Sequence, residues 1–168
     1  MNAEATWTMI GSIIASLGFA ATVISLYFSN LRIKRQATLD AFTEFKRSNK
    51  EIENKIHSKE FDTNAILEKH RQKERAGDVK AEWEQIKVYL SDIERIAVGV
   101  NTRIYDAGII NRMGGYFMYE QYQLLEPIIY YKREQDNNPE IYKEFTDMVN
   151  KIIRCRKRRK QDCLQNVM

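Results

Sequence analysis

The chain has 168 residues, 43% of them hydrophobic and 11% aromatic, with 27 Lys and Arg against 23 Asp and Glu for a net charge of +4. Only two prolines and seven glycines interrupt it, and no Pro/Gly/Ser-rich linker divides residues 32–168, so one small all-α domain is expected there. The run 154–160 (RCRKRRK) carries +6 and leaves the rest of 32–168 at −1, which is not the profile of a dedicated nucleic-acid binder, and no nucleic-acid partner is expected.

Between Glu4 and Arg32 there is no charged side chain. Residues 7–28 (WTMIGSIIASLGFAATVISLYF) form a 22-residue apolar segment. As a helix rising about 1.5 Å per residue it reaches roughly 33 Å, enough to cross a hydrocarbon core of about 30 Å. Trp7 and Tyr27 stand near its ends, where amphipathic rings favour the headgroup level. Arg32, Lys34 and Arg35 follow the segment directly, which marks that side as cytoplasmic and leaves the amino terminus outside. A cleaved signal peptide would want a basic n-region, a shorter apolar core and a small-x-small cleavage site. Here the preceding residues are acidic and the apolar run is longer, so residues 1–31 are read as an uncleaved anchor. No charge lies inside it to form a proton relay or an ion path.

A stripe of small residues runs along the segment at heptad spacing: Gly11, Ala15, Gly18, Thr22 and Ser25, extended by Thr8 and Ser29. In lipid, helices associate by close backbone approach, so such a seam suits self-association, and membrane lipid and a second copy are the expected partners. The 3.5-residue spacing favours a left-handed crossing.

The following domain, 32–153, reads as four to six helices. The first spans about 33–56, with Phe42, Phe45, Asn49, Ile52 and Ile56 on one stripe and Leu39 beside it. Packing on the same chain is expected for that stripe, although a lone Asn in it would also suit register-setting in a coiled coil. A turn region at 57–64 precedes a polar helix over 65–74. The strongest core helix is 80–102, burying Trp83, Ile86, Tyr89, Leu90, Ile93, Ile96, Ala97 and Val100. Asp106 is a candidate N-cap for a short helix through residue 112, broken at Gly114-Gly115. An aromatic-rich helix over 116–132 contains Pro127, expected to kink or split it. Asn138-Pro139-Glu140 has the capping pattern of a helix start, followed by the stripe Tyr142, Phe145, Val149, Ile152, with Ile153 adjacent.

No catalytic signature is present. His57 and His70 stand without metal-ligand spacing, no phosphate loop or nucleophile elbow occurs, and neither a metal nor a cofactor is expected. Cys155 and Cys163 lie in the basic tail 154–168, where a disulfide is not expected on a reducing side. Two idle thiols are expected, with oxidation or acylation of Cys155, which stands among basic neighbours, as the alternative. Arg154, Arg156, Lys157, Arg158, Arg159 and Lys160 are the candidate contacts to anionic lipid, at about 1 kcal/mol each close to a surface.

The segment 89–112 (YLSDIERIAVGVNTRIYDAGIINR) resembles an uncharacterised bacterial and phage family, domain of unknown function 4760. The family pattern has a Glu in an apolar helix, an Ile-Ala-x-Gly-Val step, an Asp before an apolar pair and a later Arg. These fall on Glu94, on Ile96-Ala97-Val98-Gly99-Val100, on Asp106 before Ile109-Ile110, and on Arg133; Ala37-Thr38-Leu39-Asp40 also fits. The resemblance implies an N-terminal membrane helix, a short basic flank and a small helical cytosolic domain, and it implies no activity. Glu94, next to the apolar Ile93, needs a partner, and an ion pair with Arg133 or Arg103 is expected, with ligand contact by Glu94, Asp106 and Arg133 as the alternative.

Taken together, a single-pass protein of the bacterial inner membrane is expected, non-enzymatic, with a cytoplasmic helical domain that binds a protein partner or self-associates. The alternative is a membrane effector of phage or plasmid defence, whose cytosolic domain senses a signal such as a nucleotide messenger and perturbs the membrane.

Overall fold

A computed structural model describes residues 3–58, 61–72 and 77–165, with side chains over 12–58, 61–72 and 82–158. It contains six helices: α1 (Ala3–Ser48), α2 (Lys50–Ile56), α3 (Thr63–Arg71), α4 (Gly77–Asn101), α5 (Ala107–Gln135) and α6 (Lys143–Gln165). No strand occurs among the described residues. The chain divides into two compact units, Met1–Gln36 and Ala37–Met168.

The first unit is the apolar part of α1. Among the described residues, α1 is the one helix long and apolar enough to cross a membrane, and none of its most apolar window is buried. Ile14, Leu17, Phe19, Ile24, Leu26 and Phe28 are each more than half exposed. Two hydroxyls of this unit turn back onto its own backbone: Ser16 Oγ donates to Ser12 O at 2.8 Å and Thr22 Oγ1 to Gly18 O at 2.9 Å. Such internal pairing lets a hydroxyl sit in an apolar surrounding without losing a partner.

The second unit is a helical bundle built round α4, which packs against α2, α3 and α6, while α5 packs against α3 and α6. Ile86, Tyr89, Leu90, Ile93 and Ala97 of α4 are fully buried. From α5 and α6 come Met118, Leu125, Ile128, Ile129, Phe145, Met148 and Val149, spaced three and four apart as one face of each helix requires. Phe42, Phe45 and Ile56 close the core from α1 and α2, as their stripe implies.

Several boundaries differ from the sequence expectation, each for a local reason. The helix expected over 33–56 divides at Asn49, whose backbone leaves the helical region (φ −106°, ψ 10°). Its side-chain amide donates to Phe45 O at 3.1 Å and to Asp92 Oδ2 at 3.0 Å, so the buried Asn joins α1 to α4. The polar helix expected over 65–74 is α3, two residues earlier, because Asp62 accepts from the Asn64 and Ala65 amides and caps it.

The helices expected over 107–112 and 116–132 are one element, α5. Gly114 bends it (φ −145°, ψ 16°) without ending it, and Pro127 lies inside without splitting it. A Cβ on Gly114 would come within 2.2 Å of Phe42 Cζ, so the glycine lets α5 close on that ring. Asn138 does accept from the Glu140 amide at 3.0 Å, but α6 does not start there. Asn137 and Tyr142 both take left-handed backbones (φ 47° and 53°), so Pro139 lies in a turn and α6 begins at Lys143. The basic run 154–160 lies on α6, which continues to Gln165.

Candidate functional site

The first turn of α6 has lost its local cap, since Tyr142 stands where a capping side chain would be. Glu94 supplies the cap from α4. Its Oε2 accepts from the Phe145 amide at 2.7 Å and its Oε1 from the Glu144 amide at 3.1 Å, the second and third residues of the helix. A carboxylate there satisfies two orphan donors and meets the positive end of the helix dipole. Burial pushes the Glu94 carboxyl up, the Phe145 and Glu144 amides oppose it, and the net direction is upward.

The ion pair expected between Glu94 and Arg133 or Arg103 is not formed. The peptide N–H groups of α6 take the carboxylate instead. Arg133 serves the same turn from another side, donating from Nε to Ile141 O at 2.8 Å and from Nη2 to Thr146 Oγ1 at 3.1 Å. Asn101, at the end of α4, adds a third strap by donating from Nδ2 to Glu144 O at 2.9 Å and Glu144 Oε2 at 2.6 Å. Glu94 and Arg133 therefore meet at one junction through backbone groups.

Asp106 belongs to a different junction, the α4–α5 turn. Its carboxylate accepts from the Gly108 and Ile109 amides at 2.8 and 3.2 Å and caps α5. Its own amide donates to Thr38 Oγ1 at 2.8 Å, and Thr38 is fully buried. Tyr105 donates its amide to Gly99 O at 2.8 Å, and its ring lies so close that a Cβ on Gly99 would sit 2.3 Å from Cδ2. The short motifs Ala37-Thr38-Leu39-Asp40, Ile-Ala-x-Gly-Val and the later Asp thus converge on one turn held against α1.

Beside that turn a cleft of about 230 Å³ opens between α4, α5 and α6. Val100, Ile110, Met148 and Ile152 line it, with Lys151, Cys155 and Arg158 also on its wall. The basic residues are not equivalent. Arg156 donates from Nε to Asn111 Oδ1 at 3.1 Å and its guanidinium carbon lies 5.9 Å from the Tyr116 ring centroid, so it fastens α6 to α5. Arg154 bonds its own helix at Asn150 O. Lys157 and Arg158 are exposed. The side chains of Arg159, Lys160 and Cys163 lie outside the described residues, as do the surroundings of Gly11. Ala15, Gly18, Thr22 and Ser25 are exposed on α1, and a Cβ on Gly18 would meet nothing within 4 Å.

Sequence reasoning passed over a polar cluster inside the bundle. Tyr89 donates its hydroxyl to Gln121 Oε1 at 3.0 Å, and Gln121 Nε2 lies 2.7 Å from His57 Nε2. Gln121 is fully buried. Lys46 is paired with the buried Glu53 and places its Nζ 3.5 Å from the centroid of Phe117. Buried Gln and Glu within otherwise apolar stripes were the available signal. Among the described residues no three His, Cys, Asp or Glu side chains gather in a way that would hold a metal ion.

No curated protein and no solved structure matches the chain. One family model does, and it covers residues 12–152, most of both the apolar helix and the bundle. On that match the chain belongs to the family described as a domain of unknown function, DUF4760.

Proposed function

We propose that this protein is a single-pass, non-enzymatic membrane tether, amino terminus outside, whose helical domain serves on the cytoplasmic side as an interaction and self-association module. The observation that carries the reading is the apolar stretch of α1, long enough to span a bilayer and unburied over its described window. Eight large apolar side chains, from Ile13 to Phe28, remain about half exposed or more. At roughly 1–2 kcal/mol for each side chain left in water, the cost is on the order of 10 kcal/mol, comparable to the whole stability of a domain. A core helix of a soluble bundle would not leave that surface open. Lipid removes the cost.

The small-residue face of α1 supports self-association. Ala15, Gly18, Thr22 and Ser25 leave the backbone approachable, and the Thr22 hydroxyl is already satisfied within its helix. The basic end of α6 supports contact with anionic lipid through Lys157 and Arg158.

Protease access tests the topology. In inverted membrane vesicles a protease should remove the bundle, and in sealed spheroplasts it should not; the reverse pattern overturns the orientation. Light scattering of the detergent-solubilised chain tests self-association, which a monomer over a wide concentration range would overturn.

A further inference from the structure

The cleft between α4, α5 and α6 has walls of two kinds. Val100, Ile110, Met148 and Ile152, themselves buried, make one side apolar. Lys151, Cys155 and Arg158 follow one another at steps of four and three along α6, so they share the helix face that borders the cleft.

The polar side chains on these walls offer donors. Lys151 Nζ donates to Asn101 Oδ1 at 2.7 Å, and an ammonium has two further N–H groups to give. Asn111, also buried, spends its Oδ1 on Arg156 Nε at 3.1 Å, and its amide nitrogen has no partner among the described residues. Arg158 is exposed, and a guanidinium donates without accepting. Among the described residues no Asp or Glu lines the cleft. The neighbouring Asp106 carboxylate is taken by the Gly108 and Ile109 amides. The groove between α2 and α4 is different, because it mixes Glu51 and Glu84 with Lys55 and so favours neither sign of charge.

An apolar slot rimmed by cations suits a ligand with a greasy tail and an anionic head. We propose that this cleft binds a free medium-chain carboxylate, with its tail against Ile110, Met148 and Ile152 and its carboxylate at Lys151 and Arg158. Size sets the chain length. An apolar cavity of about 150 Å³ admits the six carbons of benzene, so about 230 Å³ holds roughly nine heavy atoms, which matches octanoate with its head at the rim. The inference stands apart from the tether role, and either can fail without the other.

Cys155 is exposed and lies on the wall, so its alkylation reports occupancy. The test uses the full chain carrying Cys163→Ser, held in phosphatidylcholine nanodiscs, with the rate of N-ethylmaleimide addition followed by intact mass. Octanoate should slow the reaction at least about fivefold, with a midpoint at or below about 1 mM. Between four and eight carbons the midpoint should fall about tenfold for every two carbons added, then level off near ten carbons because the tail has outgrown the cleft. Octanol should protect at least about fivefold less well than octanoate, and Arg158→Glu should raise the octanoate midpoint by a similar factor. Protection that keeps growing to about fourteen carbons is partition into the disc and overturns the proposal. So does equal protection by octanol, protection by phosphatidylglycerol in the disc without fatty acid, an unmoved midpoint in Arg158→Glu, or no protection by octanoate at about ten times the expected midpoint.

Discussion

Replacing Glu94 by Ala removes the side chain that caps the second and third amides of α6, at 3.1 and 2.7 Å. Losing an N-cap costs about 1 kcal/mol in general, and hydrogen bonds to a charged group contribute about 1.5–3 kcal/mol each. The half-buried carboxylate has already lost part of its hydration, and its upward shift records that cost. Setting one against the other gives a net loss of roughly 2 kcal/mol, or about 6–10 °C in Tm for a bundle of this size. Thermal and urea unfolding of the full-length chain in detergent, followed by circular dichroism, measure it. Asn138→Ala is the matched control, because Asn138 holds only the Glu140 amide in an exposed turn and should cost under about 0.5 kcal/mol. The reasoning is refuted if Glu94→Ala melts within 2 °C of the parent, or if Asn138→Ala is the more costly of the two.

The pH dependence of the same group has a definite sign. Its folded-state pKa is raised, so the folded chain binds the proton more tightly than the unfolded chain. Stability from this site is therefore largest below the ordinary carboxylate value and declines as pH rises from there through the raised one; Glu94→Gln should flatten that slope in urea titrations. Gly99→Ala drives a methyl into the Tyr105 ring and should cost about 1–3 kcal/mol by chemical unfolding, with part of the loss recovered in the double variant with Tyr105→Ala. Thr38→Val leaves the Asp106 amide without its 2.8 Å acceptor and should cost about 1–3 kcal/mol in the same assay. Lys157→Gln with Arg158→Gln should weaken cosedimentation with anionic vesicles by about 1 kcal/mol per charge. Arg156→Gln should instead lower stability through the Asn111 contact.

What could be read from the residues alone was what repeats or caps locally. The stripes Trp83-Ile86-Leu90-Ile93 and Phe145-Val149-Ile152 are buried because three- and four-residue spacing puts them on one face. The Asp106 cap was legible because its partners lie two and three residues away. The Glu94 cap was not, since its partners lie 50 and 51 residues on, and Asn138-Pro139-Glu140 offered a convincing local alternative. The left-handed backbone at Tyr142, with no glycine to announce it, decided between them. Likewise Gln121 sits between apolar positions of α5, while its partners Tyr89 and His57 come from α4 and the end of α2. Of the two outcomes expected at Pro127, a kink or a split, the split does not occur, and the proline lies within α5.

Membrane attachment through α1 underlies the proposed function, and alkaline carbonate extraction with intact-mass measurement tests it most directly. The expected result is the full-length polypeptide, with residues 1–36 still joined to the bundle, retained in the sedimented membranes. Release of the chain into the supernatant, or recovery of only a shortened chain lacking the apolar segment, would contradict it.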